Sequence, residues 1–272
     1  MKRRVPFAVL WAGLLAGAAA SLGVGDGSAQ SPPLRDPQAV AVVSEALKAL
    51  DGQTTINDVT LEGSVAFTAG SDQESGTATL VARGSQQSRV VLHLGGGERQ
   101  EVRHSQQGMW MSPDGQPHAM AGHNCWTDAS WFFPALSLQA LLADPQITVV
   151  YRGDESRGGL TARHLRISRV PPGQSAEMAA WIQRLSTTDV FLDAASYLPV
   201  AAIFSIHPDN NAGLDIPVEV QFSDYRLLDG VKVPFHVKKL LQGSLMLDLN
   251  IASAAVNSGV PESEFTIPGA EQ

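Results

Sequence analysis

Three histidines, His104, His118 and His123, stand near Asp114, Cys125 and Asp128, and imidazole, thiolate and carboxylate are the groups that hold zinc. A metal centre needs them at helical or hairpin spacing that converges, as in CxxC or HExxH, and no such close-set pair is present. The histidines read instead as loop residues. Cys125 is the only cysteine, so there is no intramolecular disulfide framework, and a free cysteine most often behaves as a small buried hydrophobe rather than a nucleophile. Gly95-Gly96-Gly97 could cradle phosphate if a helix followed, but Glu98, Arg99 and Glu101 continue in a strand-like run, so the triplet reads as a hairpin. No nucleophile elbow, phosphate loop or dinucleotide fingerprint occurs. Asp154-Glu155 and the Glu262 and Glu264 pair sit in turns, and Lys238-Lys239 is too small a basic spot for an electrostatic platform. These residues assign no catalytic role, no metal and no cofactor, and the expectation is a protein without enzymatic activity.

One cluster stays open. Trp126, Trp131, Phe132 and Phe133 make an aromatic-rich loop. It reads either as a satellite core under a long loop or as the mouth of a cavity or a partner patch.

The elements that must position such groups are mostly strands. Val218, Val220 and Phe222 alternate with polar residues. After Asp229-Gly230 so do Val231, Val233, Phe235 and Val237, and then Leu245, Leu247, Leu249 and Ile251. Alternation with period two puts one set of side chains on one face of a sheet. Asp-Gly between two such runs signals a tight hairpin, because both central residues tolerate positive φ. Further strands are expected over Val59–Phe67, Thr77–Arg83 (after a turn over Gly70–Gly76), Arg89–Leu94, Ile147–Arg152, Leu160–Arg169, Val190–Asp193 and Leu198–Ile206.

Three helices complete the pattern. Asp36-Pro37 caps the first, with Val40, Val43, Ala46, Leu47 and Leu50 on its stripe and Gly52 as its stop. A short, nearly all-round apolar helix carries Leu136, Leu138, Leu141 and Leu142, and a pattern like that is buried or covers an apolar cavity. Ser175–Ser186 is the third, with Met178, Ala179, Trp181, Ile182 and Leu185 on its apolar side. The expectation is a mainly β protein with a few helices: about ten or eleven antiparallel strands that curl, because strands twist in one hand. The helices fill the concave side.

Composition sets the compartment. Lys2, Arg3 and Arg4 precede an apolar run from Val5 to about Ala20, with small residues at Gly27 and Ala29, which predicts a signal peptide over residues 1–29, cleaved after Ala29. The run is shorter than the roughly 20 residues a membrane span needs. The remainder, 30–272, is expected to be one exported periplasmic domain, not a lipoprotein, since Cys125 is far from the cleavage site. The chain's formal charge is −8, and losing Lys2, Arg3, Arg4 and Asp26 makes it −10. Nucleic acid and anionic membrane surfaces both need a basic footprint, so this balance disfavours them as partners.

Three local patterns resemble the LolA-like superfamily of exported bacterial lipoprotein and lipid carriers. They are Val190-Phe-Leu-Asp193 with Tyr197-Leu-Pro199-Val200; Phe222-Ser-Asp-Tyr225-Arg-Leu-Leu-Asp229-Gly230-Val-Lys-Val-Pro234-Phe235; and Val256-Asn257-Ser-Gly-Val-Pro261 through Phe265-Thr-Ile-Pro268. The resemblance runs from about Thr187 to Pro268 and is only architectural before that; the Trp126–Phe133 loop and Gly153–Gly159 match no carrier motif. It implies an unclosed half-barrel whose apolar concave face is lidded by helices and receives lipid or lipoprotein acyl chains, with transient membrane contact. The alternative it implies is an envelope-stress sensor or interaction module that binds an envelope protein partner.

The expected ligand face follows from the alternation: Val218, Val220, Phe222, Val233, Phe235, Val237, Leu245, Leu247 and Leu249 pointing inward, with Leu141 and Trp181 reaching them from the helices.

Overall fold

A computed structural model describes residues 33–52 and 54–267, so the signal expected over residues 1–29 lies outside the described residues. Helix α1 (Pro37–Asp51) begins where the sequence placed it. Asp36 accepts a hydrogen bond from the Gln38 N–H at 2.9 Å, Pro37 occupies the first turn, and Gly52 ends the helix at φ +57°. The other Asp36 oxygen accepts from the Tyr151 N–H at 3.1 Å, so one carboxylate both caps the helix and ties it to a strand.

The strands are β1 (Asp58–Ala69), β2 (Asp72–Arg83), β3 (Gln87–Leu94), β4 (Gly97–His104), β5 (Gln107–Met111), β6 (Pro117–Ala119), β7 (Ile147–Arg157), β8 (Leu160–Arg169), β9 (Thr188–Asp193), β10 (Pro199–Ile206), β11 (Ile216–Leu228), β12 (Val231–Leu241) and β13 (Ser244–Val256). Helix α2 (Pro134–Ala143) precedes β7, and α3 (Ala176–Leu185) precedes β9. All 13 strands join one antiparallel sheet in the order β6-β5-β4-β3-β2-β1-β13-β12-β11-β10-β9-β8-β7. Its two edges are β6 and β7, so it curls into an unclosed half-barrel.

Every paired strand lies next to a sequence neighbour except at the seam, where β1 meets β13, while β6 and β7, consecutive in the chain, end at opposite edges. There the register shifts between Glu62 and Gly63. Gly63 sits against the backbone of Asn250 and Ile251, where a Cβ has no room.

The strand count exceeds the expected ten or eleven, two boundaries are corrected and one strand is added. The turn expected over Gly70–Gly76 shrinks to Gly70 and Ser71, because β2 already begins at Asp72. The Gly153–Gly159 stretch is mostly hairpin arm of β7, irregular between Tyr151 and Gly153, where Gly153 adopts φ +107°. A short extra strand, β6, pairs with β5.

The main core lies on the inner face. It unites Val43 and Ala46 of α1, Leu138 and Leu141 of α2, and the inward residues of β1–β3 and β7–β13. The C-terminal tail crosses the outer face. Asp58, buried, accepts from the N–H groups of Ser258 (2.8 Å) and Gly259 (3.1 Å), Glu264 pairs with Arg89 at 3.1 Å, and Phe265 is fully buried. Among the described residues, no helix is long and apolar enough to cross a membrane.

Candidate functional site

Antiparallel pairing fixes which side chains share the inner face. The row Leu247–Lys239–Val220–Ala202–Val190–Leu165 runs across β13, β12, β11, β10, β9 and β8, and Leu249–Val237–Phe222 lies beside it. Val218, Val220, Phe222, Val233, Val237, Leu247 and Leu249 are buried in the main core, as is Leu141 of α2. Phe235 is half-buried against that core, with the Arg226 guanidinium 4.3 Å from its ring centre.

Two of the expected inward residues are elsewhere. Leu245 is 41% exposed. Lys239 pairs with Leu247 but Leu240 pairs with Leu245, so Met246 is the extra residue of a bulge, and it is Met246 that packs against the core. A bulge reverses the phase beyond it. Trp181 is 40% exposed: α3 packs on β8 through Ala179, Ile182 and Leu185, none of which joins the main core, and Arg184 stacks over the Trp181 ring. The concave side is therefore filled by α1 and α2, without α3.

The aromatic loop is not a satellite core. Trp131, Phe132 and Phe133 belong to the main core itself, while Trp126 is only half-buried. A buried arginine that sequence reasoning missed holds the loop down. Arg103, on the inner face of β4, donates to the Thr127 carbonyl at 2.7 Å, the Asp128 carbonyl at 3.3 Å and the Thr127 hydroxyl at 3.4 Å. Arg169 of β8 pairs with Asp128 at 2.8 Å from the other side. Replacing Arg103 with alanine is expected to cost about 2 kcal/mol, since a charge-assisted set is lost and the Thr127 carbonyl is left buried without a donor. Arg103→Lys should recover only part, because a single ammonium cannot reproduce the fork. Urea unfolding of the two variants measures both.

The groups that first suggested chemistry are dispersed. His104 bonds Gln87 at 3.0 Å, His118 stacks on Trp110 with centroids 4.2 Å apart, and His123 meets the Pro208 carbonyl at 3.1 Å. Cys125 is buried, and that burial pushes its thiol pKa up, with Arg103 opposing the rise. Among the described residues, no three of His, Cys, Asp and Glu come together as a metal site.

His207 has a different environment. It is buried, its ring contacts Asp215 at 2.9 Å and Asn124 at 3.3 Å, and Asn124 also accepts from the His207 N–H, stapling two loops. Burial lowers its pKa from the ordinary 6.5, partly offset by Asp215 and reinforced by Arg184 and His123. A histidine with a depressed folded pKa contributes stability above its unfolded value and loses it as pH falls. Stability should therefore fall between pH 7.5 and 5.5 more steeply in the wild type than in His207→Gln, as read by urea midpoints at the two pH values.

Three spaces open on or near the inner face. Beneath the helices, among Trp131, Pro134, Leu138, Val190 and Phe222, about 40 Å3 remains. Between α1 and α2 runs a groove of about 640 Å3 walled by Leu47, Ile56, Leu136 and Leu142, with Lys48 at its rim. Over the β3–β5 wing is a pocket of about 180 Å3, where Arg99, Glu101 and Lys239 meet Phe67, Leu92 and Leu247 beneath Trp110 and Trp131.

This architecture is a LolA-like fold. Solved structures that it resembles include an outer membrane lipoprotein-sorting protein domain from Vibrio parahaemolyticus (12% identity, 84% of this chain and 96% of that one, TM-score 0.52). A LolA superfamily protein from Nitrosomonas europaea matches at 10% identity over 84% of this chain and 97% of its own, TM-score 0.52. A DUF1329 family protein from Desulfovibrio piger matches at 12% identity over 85% and 98%, TM-score 0.51. No family model and no curated protein matches the chain.

Proposed function

We propose that residues 30–272 form a single non-enzymatic, periplasmic domain that binds an apolar or amphiphilic ligand, such as a lipid, an acyl chain or the acyl chains of a lipoprotein. The observation that carries this reading is the groove between α1 and α2. Its volume, about 640 Å3, falls in the range of about 300–1,000 Å3 typical of small-molecule sites, and its walls combine Leu47, Ile56, Leu136, Ala140, Leu142 and Ala143 with small polar residues such as Ser44 and Thr55. The groove opens beside the apolar core of the inner face, to which the same two helices contribute. The space of about 40 Å3 beneath them is too small for a chain, so deeper uptake requires α1 and α2 to part.

Binding driven by methylene burial gains about 0.8 kcal/mol per CH2, so affinity should climb with acyl length. Native mass spectrometry of protein purified from the periplasm without detergent should show a lipid adduct. A fluorescent fatty-acid titration should show the length dependence, and Leu142→Glu, on the groove wall, should weaken it by about tenfold or more. Absence of an adduct together with no length dependence sinks the reading.

The near-solid interior supports a second reading, in which the sheet is a scaffold for an envelope protein partner. A stoichiometric protein partner recovered with a lipid-free interior would favour it.

A further inference from the structure

The wing pocket has a charge pattern that the apolar reading does not explain. Cross-strand pairing places Trp110 beside Glu101, Glu101 beside Val90, and Arg99 beside Leu92, so the inner face of β4 carries a row of charges, Arg99, Glu101 and Arg103. Lys239 projects from the inner face of β12 with its ammonium 4.2 Å from the centre of the Trp131 ring. Arg99 is committed to Glu74 at 3.0 Å. Arg103 bonds neutral oxygens of the 127–128 segment and lies against the Cys125 thiol. Neither Arg103 nor Lys239 has a carboxylate within ion-pair distance among the described residues, and Glu101 is the one acidic group that acts on Lys239 electrostatically. Two partly or wholly buried cations thus share one carboxylate, inside a chain whose overall charge is −8.

Four of the five buried side-chain atoms that lack a hydrogen-bond partner among the described residues lie in or near this wing: Arg99 Nε and Trp131 Nε1 belong to the pocket's lining residues, and Arg103 Nε and Ser88 Oγ to the adjoining pair of β3 and β4, while Arg163 Nε is on β8. All four can donate. A buried donor with no acceptor, and a buried cation with no anion, each cost free energy that one anionic acceptor would recover. Gln100 and Ser112 add polar groups to the lining, and Phe67, Val90, Leu92, Met246 and Leu247 form apolar walls that suit an attached hydrocarbon.

We propose that the wing pocket binds the anionic headgroup of an amphiphile, a carboxylate on an apolar chain, with Lys239 as its counter-ion, Trp131 Nε1 as a donor, and Phe67, Leu92 and Leu247 around the first carbons. At about 180 Å3 the pocket holds roughly six water volumes of about 30 Å3 each, room for a headgroup and a short stretch of chain. Burial also holds the Lys239 pKa below its ordinary 10.5, the direction expected of an ammonium that lacks a counter-ion. The inference rests on the binding reading for its apolar contribution and adds the ligand's charge and the place where that charge goes.

Calorimetric titration of the intact protein with octanoate, octanol, octylamine and acetate tests it. Octanoate should bind about tenfold or more tighter than octanol, the worth of a charge-assisted contact, with octylamine and acetate weaker than both. Lys239→Met, which replaces an unpaired ammonium with an apolar chain of similar length, should bring octanoate down to the level of octanol measured on the same variant. A circular dichroism spectrum that matches the wild type shows that the variant is folded. If octanoate and octanol bind equally to the wild type, the headgroup site is wrong and the apolar binding reading survives. If acetate matches octanoate, the site takes a free anion and the amphiphile is wrong. If neither octanoate nor octanol binds, both readings fall.

Discussion

Alanine at Phe132 or Phe133 is expected to remove about 3–5 kcal/mol of unfolding free energy, the range for truncating a fully buried phenylalanine. Both rings have no exposed surface and belong to the main core with α1, α2 and the sheet. Their backbone has little freedom to collapse into the hole. Pro134 starts α2 directly after them, and the Arg103 and Arg169 contacts hold the residues just before them. A site that cannot relax keeps its cavity and bears the full cost. Trp126→Ala, at the half-buried start of the same loop, should cost clearly less. Urea denaturation compares the three. Losses below about 1 kcal/mol for both phenylalanines would mean that the loop covers the core without being part of it.

The inner face should respond in two grades. Leu141→Ala and Leu249→Ala are each expected to cost about 2–5 kcal/mol, because the volume they leave adds to an interior with only about 40 Å3 to spare. Leu245→Ala and Trp181→Ala should cost about 1 kcal/mol or less, being only partly buried side chains outside that core. An inward alanine that costs little stability and alters fatty-acid uptake would instead mark a position facing ligand. The contrast within β13 is the sharper comparison, since Leu245 and Leu249 are equally apolar in sequence.

That contrast also shows where sequence reading ends. The first helix was legible because its cap and stop are chemistry of single residues, Asp36-Pro37 and Gly52. The β11–β12 hairpin was legible because Asp229 and Gly230 take φ of +49° and +86°, as a turn of that composition should. Alternation placed Val218 through Leu249 on one face, but a bulge leaves no local mark, and so Leu245 was assigned to the wrong side. Trp181 failed for a related reason. An apolar stripe says that a helix packs, not on which surface, and α3 packs outside the main core. The candidate site was the least legible part. Arg99 and Glu101 of β4 are ordinary as strand residues and far in the chain from Lys239 of β12, and only the assembled sheet brings the three to one pocket. The lone signal was Lys239 itself, a lysine in the inward phase of an otherwise apolar run.

The seam between β1 and β13 has a consequence for how this chain folds. Each wing, β1–β6 and β7–β13, is a run of hairpins between neighbours, and such local pairings form early because little loop entropy opposes them. Their union is the opposite case: Val59 must find Val256, almost the whole described chain away. Until it does, the inward strands of both wings present long unpaired edges, β1 on one and β13 on the other, which are templates for association with other chains. A chain cut before Ser244 could build both wings and never join them. It should therefore be found in aggregates rather than as a smaller soluble protein, and the slow step in refolding the intact chain should be the closing of this one pair of strands.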